Sequence, residues 1–252
     1  MVNQPDGGCA GAATGGYALS VGTTDTGFLP SSNGFRFSNS FPRVPVRRIG
    51  IPGVVSIPIG NASNGLCGGM AFAARDHFEA GRPTPRDTSP PGEGTPLFRY
   101  LVDRLFDSFD LPVGPARYLE LMNPALPDGD GALSRFGIGP RGRARRMITE
   151  EWPRIRADID GGHPSPLGLV RVKSWNPLDL KLNHQVLAYG YTVADGRLTL
   201  RIYDPNRPRD DGMSLSLRIA DPRRPTPVSS TLPGRPVFSF FRVPYRPSRP
   251  PD

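Results

Sequence analysis

The chain has 252 residues, which fits one large domain or two small ones and suffices for a sizeable hydrophobic core. Its 2 cysteines, Cys9 and Cys67, exclude a disulfide framework and a cysteine-rich zinc site, and its 3 histidines leave little material for a metal centre, so we predict no cofactor. No run reaches the roughly 18 apolar residues of a membrane span, and no signal peptide opens the chain. The default expectation is a cytoplasmic protein, with unconventional export as the alternative.

The net charge of +8 comes mainly from two arginine-rich segments. Residues 135–156 hold seven Arg against two Glu, and residues 205–252 hold nine Arg against four Asp. Basic segments can bind phosphates. No helix-turn-helix, zinc-finger or aromatic ribonucleoprotein motif accompanies them, and the excess of Arg over Lys is typical of a GC-rich genome. We therefore do not expect a nucleic-acid partner, although binding of nucleic acid or another anion remains a third hypothesis.

Composition divides the chain into three parts. Residues 1–34 are rich in Gly, Ser, Thr and Asn and are predicted to be a disordered arm. Residues 35–246 form the folded domain, in which residues 35–59 are broken by prolines and should be extended chain on a surface. Residues 247–252 are a Pro/Arg tail with nothing to bury.

The first half of the folded domain has helical periodicity. A helix is predicted from about residue 64 to Gly81, and a second begins at Thr95-Pro96, with Thr as cap and Pro in the first turn. A shorter helix covers residues 115–122. A fourth carries Ile148 to Ile159 on its apolar face, and Gly161-Gly162 ends it.

The second half has the period of strands. Five are predicted, at residues 167–172, 185–193, 198–203, 213–219 and 237–243, and Ala194-Asp195-Gly196 forms a hairpin turn. Helices followed by an antiparallel meander indicate an α+β fold. Trp175, between two of the strands, is expected to pack in the core.

Cys67 lies at the first turn of a predicted helix. A helix N-terminus stabilises a thiolate, because its free amides and its dipole favour negative charge. Gly65, Gly68 and Gly69 are expected to leave space for a substrate carbonyl, whose oxyanion the Cys67 amide could bind.

His184 opens the strand that is best placed to face this helix start. Asp204 ends the next strand, and in a hairpin the end of the second strand lies beside the start of the first, so Asp204 should orient the imidazole. Asn206 is the alternative third member. His77 lies ten residues beyond Cys67 in the same helix, too far to act as its base, and His163 is also interpreted as structural.

Three segments together resemble the papain-like cysteine peptidase superfamily, most closely its bacterial branch that includes double-glycine leader peptidases. They are NGLCGGMAFA at 64–73, NHQVLAYGY at 183–191 and YDPN at 203–206. The resemblance spans about residues 55–245 and implies a helical half that carries Cys67, packed on an antiparallel sheet that carries His184 and Asp204. The family places a Gln before its Cys as an oxyanion donor; this chain has Asn61 and Asn64 there instead.

The resemblance and the residues together predict a thiol-dependent acyl-transfer enzyme, a cysteine peptidase or isopeptidase with a Cys-His-Asp triad and a peptide or protein substrate. Transglutamination or deamidation would use the same site. The missing Gln favours a different class, a catalytically inactive papain-like binding module.

Overall fold

The computed structural model describes residues 22–41, 49–51, 54–57, 66–131 and 139–251. The helices within these ranges are α1 (Pro30–Asn33), α2 (Cys67–Glu79), α3 (Pro96–Ser108), α4 (Val113–Met122), α5 (Arg143–Arg146) and α6 (Trp152–Asp160), with a π-helix at Met147–Glu151 and a 3-10 helix at Pro177–Leu182. The four longer helices match the predicted ones. Within the same ranges, no helix is both long and apolar enough to cross a bilayer.

The strands are β1 (Gly22–Asp25), β2 (Ile49–Ile51), β3 (Val54–Ile57), β4 (Ser165–Val170), β5 (His184–Ala194), β6 (Arg197–Tyr203), β7 (Ser214–Arg218), β8 (Ser229–Ser230) and β9 (Ser239–Arg242). Seven form one antiparallel sheet in the order β8-β7-β6-β5-β4-β9, with β1 paired to β5, while β2 and β3 pair separately. The predicted α+β class is confirmed. Because β4, β5 and β6 are neighbours, the long strand β5 is the centre of the sheet.

Local sequence signals account for several boundaries. The Thr95 hydroxyl accepts a hydrogen bond from the Phe98 amide at 3.2 Å, and Pro96 occupies the first turn of α3, as predicted. The turn between β5 and β6 places Asp195 and Gly196 at φ values of 50° and 69°, the left-handed region that a tight two-residue hairpin turn needs.

The prediction of a disordered arm over residues 1–34 is wrong for residues 22–34. Thr24 in β1 pairs with Tyr191 in β5, and the following segment buries Phe28 completely against Tyr189 and Tyr203. A strand of four residues and one buried aromatic side chain give too little periodicity for an ordered segment to be recognised in a polar stretch. Residues 1–21, including Cys9, lie outside the described residues.

The chain around residues 35–41 also differs from a surface segment. Phe35, Phe37 and Phe41 are buried and pack with one another, and Phe41 reaches Phe98 in α3. They belong to a core cluster between α2, α3 and one face of the sheet. A second core cluster lies between α6 and the opposite face of the sheet. Residues 22–41 are therefore an integral layer of the domain.

Two smaller expectations are also corrected. The C-terminal tail is packed: the Ser248 amide donates to Asp76 at 3.0 Å, and Arg82 donates to the buried Pro250 at its carbonyl. Trp175 is 68% exposed, since it lies in a loop held by polar contacts of its neighbours.

The first arginine-rich segment is largely neutralised within the fold. Its arginines make ion pairs with acidic residues of neighbouring loops and helices: Arg141 with Glu150, Arg143 with Asp128, Arg145 with Asp130, Arg146 with Glu120, and Arg156 with Asp160. Arg143 is almost fully buried and also donates to three backbone carbonyls. Charge that is paired in this way contributes little to a phosphate-binding surface.

Candidate active site

The three predicted site residues lie at ends of regular elements that meet. Cys67 is the first residue of α2, His184 is the first residue of β5, and Asp204 directly follows β6. Helix α2 packs against β5, which brings the helix start to the strand start. The arrangement of Cys67, His184 and Asp204 thus follows from the packing of one helix start, one strand start and one strand end. Among the described residues, no long loop contributes to it.

The hairpin register explains why Asp204 reaches His184. Leu187 pairs with Tyr203, and continuing that antiparallel register places Asn206 opposite His184 and Asp204 two residues nearer the turn on the same face. Asp204 Oδ1 lies 2.7 Å from His184 Nε2. Both side chains are buried, at 6% exposure for His184 and 1% for Asp204, so this contact is sheltered from water.

Asn206 is close to the same nitrogen but makes a poorer contact. Its Nδ2 lies 3.4 Å from His184 Nε2, and its backbone amide donates to Asp204 Oδ1 at 2.9 Å. The geometry therefore favours Asp204 over Asn206 as the partner of the ring, and it gives Asn206 a part in holding the Asp204 carboxylate.

The Cys67 thiol and the His184 imidazole interact through their charges and a side-chain hydrogen bond, and each shifts the pKa of the other. Asp204 occupies Nε2, so Nδ1 is the ring nitrogen open to the thiol. Burial alone raises the pKa of the Cys67 thiol. The charge of His184, its hydrogen bond, and the backbone amides of Gln185 and Gly68 outweigh burial and bring that pKa below its ordinary value.

His184 and Asp204 show the complementary shifts. Burial lowers the pKa of His184, but the Cys67 thiolate and the Asp204 carboxylate reverse this and raise it well above the usual range of histidine. Burial raises the pKa of Asp204, and the hydrogen bond and charge of His184 bring it below its usual value. At neutral pH the arrangement favours a thiolate, an imidazolium and a carboxylate in a row.

The glycines after Cys67 have a different role from the predicted one. A Cβ at Gly69 would lie 2.1 Å from the Leu101 carbonyl of α3, and one at Gly68 would lie 2.2 Å from the Ser108 hydroxyl and 2.4 Å from Gln185 Oε1. These glycines are needed for α2 to approach α3 and β5 closely. They allow the helix that carries the thiol to pack in place. The role predicted for them was to leave space for a substrate carbonyl.

Two residues near the thiol were missed in the sequence. The backbone amide of Gln185 helps to lower the pKa of the Cys67 thiol, and its side-chain amide donates to the Ser108 carbonyl at 3.3 Å. The hydroxyl of the buried Tyr118 in α4 donates to the His184 carbonyl at 3.2 Å. Burial is the main cause that raises the pKa of this phenol, and the nearby Cys67 charge raises it further. Gln185 could have been predicted near the thiol because it follows His184 in the sequence. The sequence around Tyr118 contains no comparable indication.

The other candidates are not part of this arrangement. His77 is buried within α2, and His163 is bound to Glu79 through Nδ1 at 2.9 Å, as their structural interpretation implies. The oxyanion candidates Asn61 and Asn64 lie outside the described residues. Within the described ranges, no group of three or more His, Cys, Asp or Glu side chains could hold a metal ion.

No family model, curated protein or solved structure matches the chain. The geometry and electrostatics of the site itself are therefore the basis for its function.

Proposed function

We propose that this protein is a thiol-dependent acyl-transfer enzyme, a cysteine peptidase or isopeptidase with a papain-like division into a helical half and a sheet half. Cys67 is the nucleophile, His184 the general base and acid, and Asp204 the residue that orients the ring. The substrate is a peptide or protein carbonyl.

The single observation that supports this proposal is the continuous contact from Cys67 through His184 to Asp204. His184 Nε2 lies 2.7 Å from Asp204 Oδ1, and the interaction of the ring with Cys67 lowers the pKa of the thiol and raises that of the imidazole. As a whole residue Cys67 is partly exposed, while its two partners are buried. A structural histidine has no need for a thiol on its second nitrogen.

This geometry is suited to two successive acyl transfers. The Cys67 thiolate attacks the carbonyl carbon, and the oxyanion forms near the α2 N-terminus, where backbone amides lack helical partners. The C–N bond then breaks, the amine leaves with the proton from His184, and a thioester remains. Water attacks the thioester, His184 accepts a proton from it, the C–S bond breaks, and the carboxylic acid and the Cys67 thiolate are released beside the imidazolium.

Amine transfer or deamidation of glutamine uses the same first step and differs only in the acyl group and the second nucleophile. An inactive binding module differs in kind, since it needs no thiolate. The lowered pKa of the Cys67 thiol is the feature that favours an enzyme over such a module.

The first test is the rate of iodoacetamide alkylation of Cys67 against pH, in the Cys9→Ala background. The proposal expects a thiol that reacts as a thiolate well below the free pKa of about 8.5. A Cys67 that titrates like a free thiol would contradict the enzyme and favour the inactive module.

The second test identifies the reaction. A denatured peptide library is incubated with the protein and a small primary amine, with Cys67→Ser as the matched control. Mass spectrometry then distinguishes new peptide N-termini from Gln-to-Glu conversion and from amine incorporation. Hydrolysis that is absent in the Cys67→Ser variant is the expected result.

A further inference from the structure

Asn39 connects the two walls of the candidate site. Its side-chain oxygen accepts a hydrogen bond from the amide of Leu66, the residue before Cys67, at 2.5 Å. Its side-chain nitrogen donates to Asn206 Oδ1 at 3.1 Å, and its backbone amide donates to the Pro205 carbonyl at 2.9 Å. One residue therefore holds both the helix start that carries the thiol and the turn that carries Asp204.

The same contacts fix the orientation of two amide groups. Because the Leu66 amide can only donate, Asn39 must turn its oxygen toward it and its nitrogen toward Asn206. Asn206 then turns its own oxygen to Asn39 and its nitrogen toward His184. A protonated Nε2 cannot accept from that nitrogen, so of the two neighbours only Asp204 offers the ring an acceptor.

Asn39 is held firmly enough to do this. It lies between Phe37 and Phe41, which are 1% and 5% exposed and are anchored in the core cluster between α2, α3 and the sheet. The aromatic side chains on either side leave the backbone of Asn39 little freedom, so its hydrogen bonds restrain the site and not merely a loop.

We propose that Asn39 is a positioning residue that sets the separation of the Cys67 sulfur from the His184–Asp204 pair and reserves His184 Nε2 for Asp204. This inference rests on the proposed function, since it deepens the account of the same site. Contact between the thiolate and the imidazolium stabilises both charges, and a displacement of about 1 Å is enough to impair a reaction of this kind. Asn39 acts through Leu66, Pro205 and Asn206, to which its hydrogen bonds are made.

The test compares four proteins, all carrying Cys9→Ala: the parent, Asn39→Ala, Asn206→Ala and the double variant. Asn39→Ala should move the midpoint of the alkylation profile up by about one pH unit, which slows alkylation roughly tenfold at any pH below the midpoint of the parent. Asn206→Ala, which removes only the far anchor, should slow it about threefold at most, and the double variant should be no slower than Asn39→Ala, because the two act as one unit.

Ser38→Ala is the matched control, because Ser38 is next to Asn39 in the chain and its hydroxyl pairs with Ser40 at 3.0 Å and with no other of the described residues. It should leave the alkylation profile unchanged. If Asn39→Ala lowers the melting temperature but leaves the pH profile of the thiol where it was, Asn39 is a purely structural residue and the inference is wrong. Additive effects of Asn39→Ala and Asn206→Ala would equally overturn it.

A second measurement separates this inference from the proposed function. The NMR titration of the His184 ring reports its environment whether or not the protein is an enzyme. A parent Cys67 that titrates like a free thiol would refute the proposed function, and Asn39 would then be judged on the ring alone. An unchanged His184 titration in Asn39→Ala refutes the positioning role; a lowered His184 pKa supports it.

Discussion

His77 and His184 are buried to almost the same extent, 4% and 6% exposed, but their environments shift their pKa values in opposite directions. Burial and the Arg82 charge lower the pKa of His77, and together they outweigh the nearby Pro83 carbonyl and the Asp76 charge, which raise it. Neither ring nitrogen of His77 makes a hydrogen bond of normal geometry with the described residues.

The surroundings of the two rings explain the difference. The ring of His77 packs edge-on against Phe35 and Tyr100, and Asp76 beside it is taken up by Arg104 and by the hydroxyls of Tyr100 and Tyr245. The carboxylate of Asp204 has no such ring of donors and is directed at His184. Burial and a neighbouring Asp are therefore common to both histidines; a second nitrogen in contact with a thiol is found at His184 only.

The largest effect that this comparison predicts is that of removing His184. His184→Ala should raise the pKa of the Cys67 thiol toward about 8.5, since the amides of Gln185 and Gly68 are left as its main stabilisation, and alkylation at pH 7 should slow by about tenfold to a hundredfold. The measurement is the pH dependence of alkylation, with circular dichroism to verify folding. His163→Ala is the control, and a similar loss in that variant would show that the base has been assigned to the wrong histidine.

A smaller effect is expected from Asp204→Asn. The imidazole and the thiol stay in contact, but the carboxylate that favours the protonated ring is lost, so alkylation at pH 7 should slow by roughly tenfold. The same pH profile measures it, beside Asn206→Ala. If Asn206→Ala matched His184→Ala while Asp204→Asn were silent, the third member would be Asn206 and the Asp204 contact would be structural.

Much of the site could be predicted because its parts are encoded locally. The start of α2, the hairpin turn at Asp195-Gly196 and the strand endings are short-range signals, and the hairpin register alone brings Asp204 to His184. The α+β class followed from the change of period along the chain in the same way.

The remainder depends on contacts between distant parts of the chain. Asn39 contacts Leu66 and Asn206 because three buried phenylalanines anchor its segment in the core. Tyr118 reaches the His184 carbonyl from α4. Gly68 and Gly69 were interpreted through the chemistry of the thiol, because their neighbours across α3 and β5 are invisible in a single sequence. Tertiary packing decided each of these positions, and local pattern carries no information about it.

The smallest predicted effect concerns His77 and the stability of the fold. The pKa of His77 is lower in the folded than in the unfolded chain, where it is about 6.5, so both states are neutral above that pH and His77 then costs nothing. Below it the unfolded chain binds a proton that the folded chain refuses. The free energy of unfolding should therefore decrease as the pH is lowered through about 6.5, and His77 can account for at most about 2 kcal/mol of the loss between pH 7 and pH 5.

His77→Leu and His77→Gln test this, because neither side chain can bind the proton. The free energy of unfolding is measured by urea denaturation at pH 7 and pH 5 for both variants and the parent. The variants should differ from each other in absolute stability, since Leu suits the contacts with Phe35 and Tyr100 better than Gln does, but both should lose less stability than the parent on acidification, by up to about 2 kcal/mol. A parent and variants with equal losses would mean that the ring of His77 accepts a proton in the folded state, and the contrast with His184 would then lie only in the thiol.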